Sequence, residues 1–277
     1  MYMSTRQFGK RLLALLLVLC ALAIQAFTAV RSEVATHQST VLNTTKDFYL
    51  FYPNKYNPDK TYPVLYLLHG AGGSYRSWSS QGVLAQSLEE FEMFVVLPDG
   101  DKFSWYLDSP LSGSKYETYL IEELIPFVDR NYPTKANCKA RAISGLSMGG
   151  HGAVTLAIKH PDLFGSASSL SGILDIVRHP NDWQLDQRLG KQEENMALWE
   201  ANSALFLSPK LKNLELALFI SCGLDDFALK ENRDFHRKLQ ELRIPHLYVE
   251  HPGAHNLDYW LGNLGEHLLF HNYIFTE

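Results

Sequence analysis

The stretch Ala142-Ile143-Ser144-Gly145-Leu146-Ser147-Met148-Gly149-Gly150-His151-Gly152-Ala153 contains a G-x-S-x-G pentapeptide running from Gly145 to Gly149. Residues 140–143 before it read as a strand, and residues 152–159 after it as a helix. That context suits the motif, because a sharp strand-to-helix turn lifts one hydroxyl, here that of Ser147, above the edge of a sheet. Glycines flank the serine because a side chain there would strike the packed neighbours, and because the turn is strained. The helix that follows aims its free amides and its dipole at the serine, which favours a developing oxyanion. The pentapeptide alone arises by chance in roughly one chain in ten of this length. The rest of the chain must therefore supply an acid, a base and an oxyanion hole.

Working outward, residues 64–68 form a continuous apolar run, as in a parallel strand buried on both faces. The run leads into His69-Gly70-Ala71-Gly72-Gly73-Ser74. This loop lacks both the lysine ending of a P-loop and the spacing of a dinucleotide-binding fingerprint. It reads as an oxyanion loop in which the backbone amide of Ala71 faces that of Met148, with His69 orienting the loop. Trp78, just beyond, is either core or pocket wall. Further strands are expected at 47–52, 93–97, 165–170, 214–221 and 247–250, and helices at 82–90, 116–131, 152–160, 229–242 and 257–271. The irregular segment 101–115 offers Trp105, Tyr106 and Asp108 as lining for a substrate cleft, with ordinary loop packing as the alternative. Residues 173–213 are polar, hold Trp183 and Trp199, and show no strand pattern; an excursion of that size is expected to cap the site.

Strands alternating with helices imply an α/β fold: a mostly parallel central sheet with helices on both faces and a small cap insertion. In such sheets functional groups gather at the carboxyl ends of the strands. Ser147 follows one strand, Asp225-Asp226 the next long one, and His255 the last. Ser, acid, His is the chain order of the α/β-hydrolases. His151, His236, His246 and His251 lie near His255 in sequence, but only His255 sits in a glycine-flanked loop after a strand.

The chain resembles the esterase D family of α/β-hydrolases. The resemblance rests on the segment from Tyr62 to Gly70, on 145–150, on Cys222-Gly223-Leu224-Asp225-Asp226-Phe227 and on Gly253-Ala254-His255. It implies Ser147 as nucleophile, His255 as base and Asp226, not Asp225, as the acid. It also implies an acyl-enzyme route on short-chain or aromatic carboxylic esters, acylated carbohydrates among them, with no cofactor and no metal. Acyl transfer of the mycolyl transferase type and a non-catalytic binding protein are the alternatives. Segments 101–115 and 173–212 match no single subgroup of that family.

Composition agrees with one large domain at 31–277. The chain has 277 residues, 46% of them hydrophobic, and a net charge of −5 with no basic stripe, so nucleic acid is not an expected partner; the resemblance implies a small-molecule ester instead. Arg6, Lys10 and Arg11 precede an apolar run at 12–24, which reads as a signal peptide within residues 1–30 and a secreted or periplasmic protein. An uncleaved anchor facing outward is the alternative, and it would be the chain's one route to a membrane. Cys138 and Cys222 are expected to be free thiols, with a disulfide as the rival reading. Oligomeric state is not encoded in any pattern.

Overall fold

The computed structural model describes residues 30–79 and 82–277, so the stretch read as an export signal lies outside the described residues. The strands are Ser32–Ser39 (β1), Thr44–Phe51 (β2), Val64–Leu68 (β3), Phe94–Pro98 (β4), Arg141–Leu146 (β5), Ser166–Leu170 (β6), Ala217–Gly223 (β7) and Leu247–His251 (β8). They form one sheet in the order β1-β2-β4-β3-β5-β6-β7-β8. β2 runs antiparallel to β1 and β4, and every other pairing is parallel. The α/β-hydrolase sheet expected from the sequence is therefore present. Among the described residues no helix is long and apolar enough to cross a membrane.

The central strands read as unbroken apolar runs because both faces are covered. Successive side chains alternate between two cores. Tyr66 and Leu68 of β3 join one, with Val96, Ile143 and Val154, while Leu65 and Leu67 join the other, with Val95, Leu264 and Leu268. Each such leucine, withdrawn from water, contributes about 1.5–3 kcal/mol.

Three elements differ from the sequence reading. β1 lies in a polar stretch for which no strand is expected, and it, not the strand at 47–52, is the outermost on that side of the sheet. Its sequence SEVATHQS is mostly solvent-facing, which suits an edge and hides it from an apolar-pattern search. Glu123 fixes the hairpin by accepting from the amides of Thr40 and Val41 at 2.9 and 3.1 Å. The helix 116–131 contains a π-helical turn, Tyr119–Leu124, which carries that glutamate. The helix after the nucleophile turn is Met148–Lys159, starting four residues before the expected 152. Its glycines look like loop by propensity but are demanded by packing: a Cβ on Gly149 would lie 2.6 Å from the Leu68 carbonyl oxygen.

β6 is serine-rich yet buried. Its hydroxyls serve the last helix, Leu257–Thr276. The ring of His271 contacts Ser166 Oγ at 2.7 Å through Nδ1 and Ser168 Oγ at 2.8 Å through Nε2, and His267 Nε2 lies 2.9 Å from Ser221 Oγ. Burial holds these imidazoles neutral. It pushes His271 down to about 3 and His151 to about 4, and His267 well below its ordinary range. Unfolded imidazoles protonate near pH ~6.5. Below that pH the unfolded chain takes up protons that the folded chain refuses. The stability is present above pH ~6.5 and is lost as pH falls toward the folded values, by about 1.4 kcal/mol per pH unit for each such histidine. Urea midpoints should fall steeply between pH 6.5 and 4.5, and His271→Gln should flatten that slope by about one proton; an unchanged slope would contradict this assignment.

Candidate active site

Ser147 joins β5 to the helix Met148–Lys159 with φ 53° and ψ −120°, an uncommon backbone for a residue with a side chain. The surroundings enforce it. Its amide donates to the Leu170 carbonyl at 3.0 Å. Gly145 and Gly149 meet across the turn so closely that a Cβ on Gly145 would sit 2.5 Å from the Gly149 carbonyl carbon.

The structure brings the three sequence-predicted residues together. His255 Nε2 lies 2.9 Å from Ser147 Oγ, and its Nδ1 lies 2.9 and 3.0 Å from the two carboxylate oxygens of Asp226. The Asp226 carboxylate is fully buried and also accepts the Ala228 amide at 2.8 Å. An ionised acceptor at Nδ1 puts the ring proton there and leaves Nε2 as the acceptor facing the serine. Asp225, by contrast, is exposed, and its amide donates to the Gly253 carbonyl at 2.9 Å. The loops after β7 and β8 touch at their glycines, where a Cβ on Gly223 would lie 2.3 Å from the Gly253 carbonyl oxygen. The neighbouring histidines are engaged elsewhere: His151 with the Asn202 carbonyl, His236 with His246, and His251 with Glu266.

The loop after β3 reaches the nucleophile because residue 70 is glycine; a Cβ there would lie 2.5 Å from Leu146 Cδ1 and 3.3 Å from Ser147 Cβ. His69 is 1% exposed, and burial lowers its pKa. Its Nε2 takes the Gly100 amide at 3.0 Å, so its proton resides on Nδ1, which donates to the Gly70 carbonyl at 2.8 Å. A planar trans peptide points C=O and N–H in opposite directions. With the Gly70 carbonyl drawn to His69, the Ala71 amide points away from that ring; Ala71 itself lines the cleft with Ser147. Met148 is the first residue of its helix, so its amide has no intrahelical acceptor.

The cleft at Ser147 holds about 280 Å³ and is walled by Leu146, Trp183, Phe227, Leu257 and Trp260 as well as the glycine loop. Trp78, Trp105, Tyr106 and Asp108, the residues offered as lining, fall outside that wall. Trp78 is core, with its indole donating to the Leu68 carbonyl at 2.9 Å. Tyr106 braces the oxyanion loop: its hydroxyl accepts the His69 amide at 3.0 Å and donates to the His69 carbonyl at 3.1 Å. Trp105 packs edge-on to His151 and donates to the Trp183 carbonyl at 3.2 Å. Asp108 accepts the Thr118 amide at 3.0 Å, where the helical stretch from Tyr116 begins. Segment 101–115 is tied to the glycine loop, where the Gly72 amide donates to the Lys102 carbonyl at 2.7 Å, and to the excursion after β6, where Arg188 donates to the Phe103 carbonyl at 2.9 Å. That excursion, short helices at Leu185–Leu189, Gln192–Glu200 and Ala204–Leu207, contributes Trp183 to the cleft. Of the aromatic wall, the sequence points to Trp183 through the capping excursion and to Phe227 through the segment after β7, without assigning either to the cleft; Trp260, in the last helix, carries no such signal. Cys138 and Cys222 are free thiols, Cys222 buried.

The strand order and the position of the serine turn define an α/β-hydrolase. A sequence model of the Esterase family matches residues 39–271, and the chain belongs to that family. It is 29% identical over 210 residues to the acetyl esterase of Caldicellulosiruptor saccharolyticus, covering 71% of this chain and 78% of that protein. It is 38% identical over 125 residues to Esterase Rv1288 of Mycobacterium tuberculosis, a longer protein of which the match spans 27%, against 43% of this chain. Among solved structures, a ferulic acid esterase superposes with a TM-score of 0.75 at 29% identity, covering 89% of this chain and 99% of that one. The chain is accordingly a carboxylic ester hydrolase, and the esterase D resemblance read from the sequence holds.

The Gly70 carbonyl is held by His69 Nδ1 and by the Gly73 amide at 3.1 Å; if the His69 bond sets the Ala71 amide, His69→Phe removes that bond while keeping a ring in place. kcat on a p-nitrophenyl ester should fall by a factor on the order of 10², the range seen when one oxyanion donor is lost. A folded variant within threefold of the parent would show that the loop holds its shape unaided.

Proposed function

We propose that this protein is a serine esterase that works through an acyl-enzyme on Ser147. The observation that carries the reading is the unbroken line from the Asp226 carboxylate through His255 to the Ser147 hydroxyl, with both contacts at 2.9 Å. His255 removes the serine proton as Oγ attacks the ester carbonyl. Asp226 holds the ring tautomer and stabilises the imidazolium. The amides of Ala71 and Met148 receive the oxyanion, and water then attacks the acyl-serine with His255 again as base.

The substrate is a carboxylic ester with a compact or flat acyl group. A cleft of about 280 Å³ has room for acetyl and feruloyl groups, the ones named in two relatives. Residues 1–30 direct the chain out of the cytoplasm in this reading, which places it among extracellular esters such as acylated carbohydrates.

Ser147→Ala should lower kcat on p-nitrophenyl acetate by a factor on the order of 10⁵ or more, with the thermal unfolding profile retained. Retained turnover would remove Ser147 from the mechanism. An acetyl, butyryl and feruloyl ester panel on the parent enzyme then ranks the acyl groups.

A further inference from the structure

The esterase reading above underlies this inference, which concerns the part of the substrate that leaves. In the acylation step Ser147 Oγ forms a bond to the acyl carbon, the bond from that carbon to the alcohol oxygen breaks, and the proton taken by His255 passes to that oxygen, so the alcohol departs neutral. The leaving oxygen must therefore approach His255 Nε2, and the alcohol sits on the His255 side of the serine. The acyl oxygen turns the other way, to the Ala71 amide. Whatever borders His255 decides which alcohols fit.

That border is aromatic. Phe227, next to Asp226 in the chain, lies 4.3 Å from the His255 ring centroid. Trp183 stacks over Phe227 at 5.9 Å with 28° between planes. Both line the cleft, and Phe227 is 56% exposed, so its ring face is open to a bound group. Trp183 is held in place from behind. Trp183 and Gln184 are successive non-glycine residues in the left-handed region, at φ 45° and 60°, a strain that tends to mark ligand clamps. The Trp183 carbonyl takes the Trp105 indole proton. Its ring meets that of His179 at 5.0 Å, and His179 is tied to Asp182 at 3.1 Å and to the buried Glu231 at 3.5 Å. Glu231 lies in the first turn of the helix Leu229–Leu242, so the brace behind Trp183 is anchored on the element that follows Phe227 in the chain.

We propose that Trp183 and Phe227 form the leaving-group subsite, a flat aromatic platform that selects esters whose alcohol carries a ring with a broad apolar face. The ring stacks on Trp183–Phe227 while its oxygen faces His255; no covalent role falls to either residue.

The test uses butyrate esters that share one acyl-enzyme: methyl butyrate, benzyl butyrate and a methyl glucoside butyrylated at its primary hydroxyl. Methanol and benzyl alcohol are similar as leaving groups, so a difference between their esters reads binding of the ring. Trp183→Leu and Phe227→Leu should each lower the benzyl-to-methyl or the glucoside-to-methyl ratio of kcat/KM by about tenfold, with Trp183→Phe restoring most of the loss. The loss should be confined to acylation, because the alcohol has gone before water attacks. Deacylation of preformed butyryl-enzyme, followed in a single turnover, separates this from general damage, since disturbing His255 would slow both half-reactions. Equal losses on all three esters, unmoved ratios, or deacylation slowed in proportion would overturn the proposal. A parent enzyme that hydrolyses none of the three would sink the esterase reading and this one with it, whereas unmoved ratios in an active enzyme sink this one alone.

Discussion

One strained residue organises this molecule. Ser147 bears a side chain at φ 53° and ψ −120°, a conformation the chain would abandon if its neighbours allowed it. They do not, because β5 and its following helix are packed glycine to glycine, with Gly149 so close to the end of β3 that a Cβ on it would lie 2.6 Å from the carbonyl oxygens of Leu68 and His69. The same close approach brings the loop after β3 over the serine. The geometry of Ser147 and the position of the loop after β3 are thus two consequences of a single packing constraint, and bulk at any of these glycines would disturb both.

The acid and the base arrive by a second contact of the same kind. β7 and β8 are parallel neighbours, and the loops leaving them share main-chain hydrogen bonds, Leu224 to His251 and Asp225 to Gly253, both at 2.9 Å. That pairing sets Asp226 beneath the His255 ring before any side-chain interaction is made. The buried carboxylate then has a specific partner for each oxygen, which is what makes its burial tolerable. Behind the site, residues that do no chemistry set those that do: Tyr106 grips both main-chain groups of His69, and His69 grips the Gly70 carbonyl.

Much of this was legible in the sequence, for identifiable reasons. Buried parallel strands announce themselves as apolar runs, and the reactive residues stand at strand ends beside glycines that only close backbone approach explains. Asp226 over Asp225 came from family likeness, since two adjacent aspartates look alike until one is buried and the other exposed. β1 escaped because an edge strand is written in polar residues. For Trp105, Tyr106 and Asp108 the sequence leaves cleft lining and ordinary loop packing both open, because which way an irregular aromatic loop turns its rings depends on the excursion packed against it. The sequence places Trp183 in a capping excursion and Phe227 after β7, but their meeting with Trp260 in one wall is set by tertiary packing of three distant segments.

The central claim is that the hydroxyl at 147, activated by the imidazole at 255, is the atom that becomes acylated. The most direct measurement is peptide mass mapping after reaction with a fluorophosphonate. The account predicts one stoichiometric adduct, located on Ser147 and formed far more slowly when His255 is replaced by Gln. Labelling elsewhere, or labelling of Ser147 at an undiminished rate in His255→Gln, would contradict it.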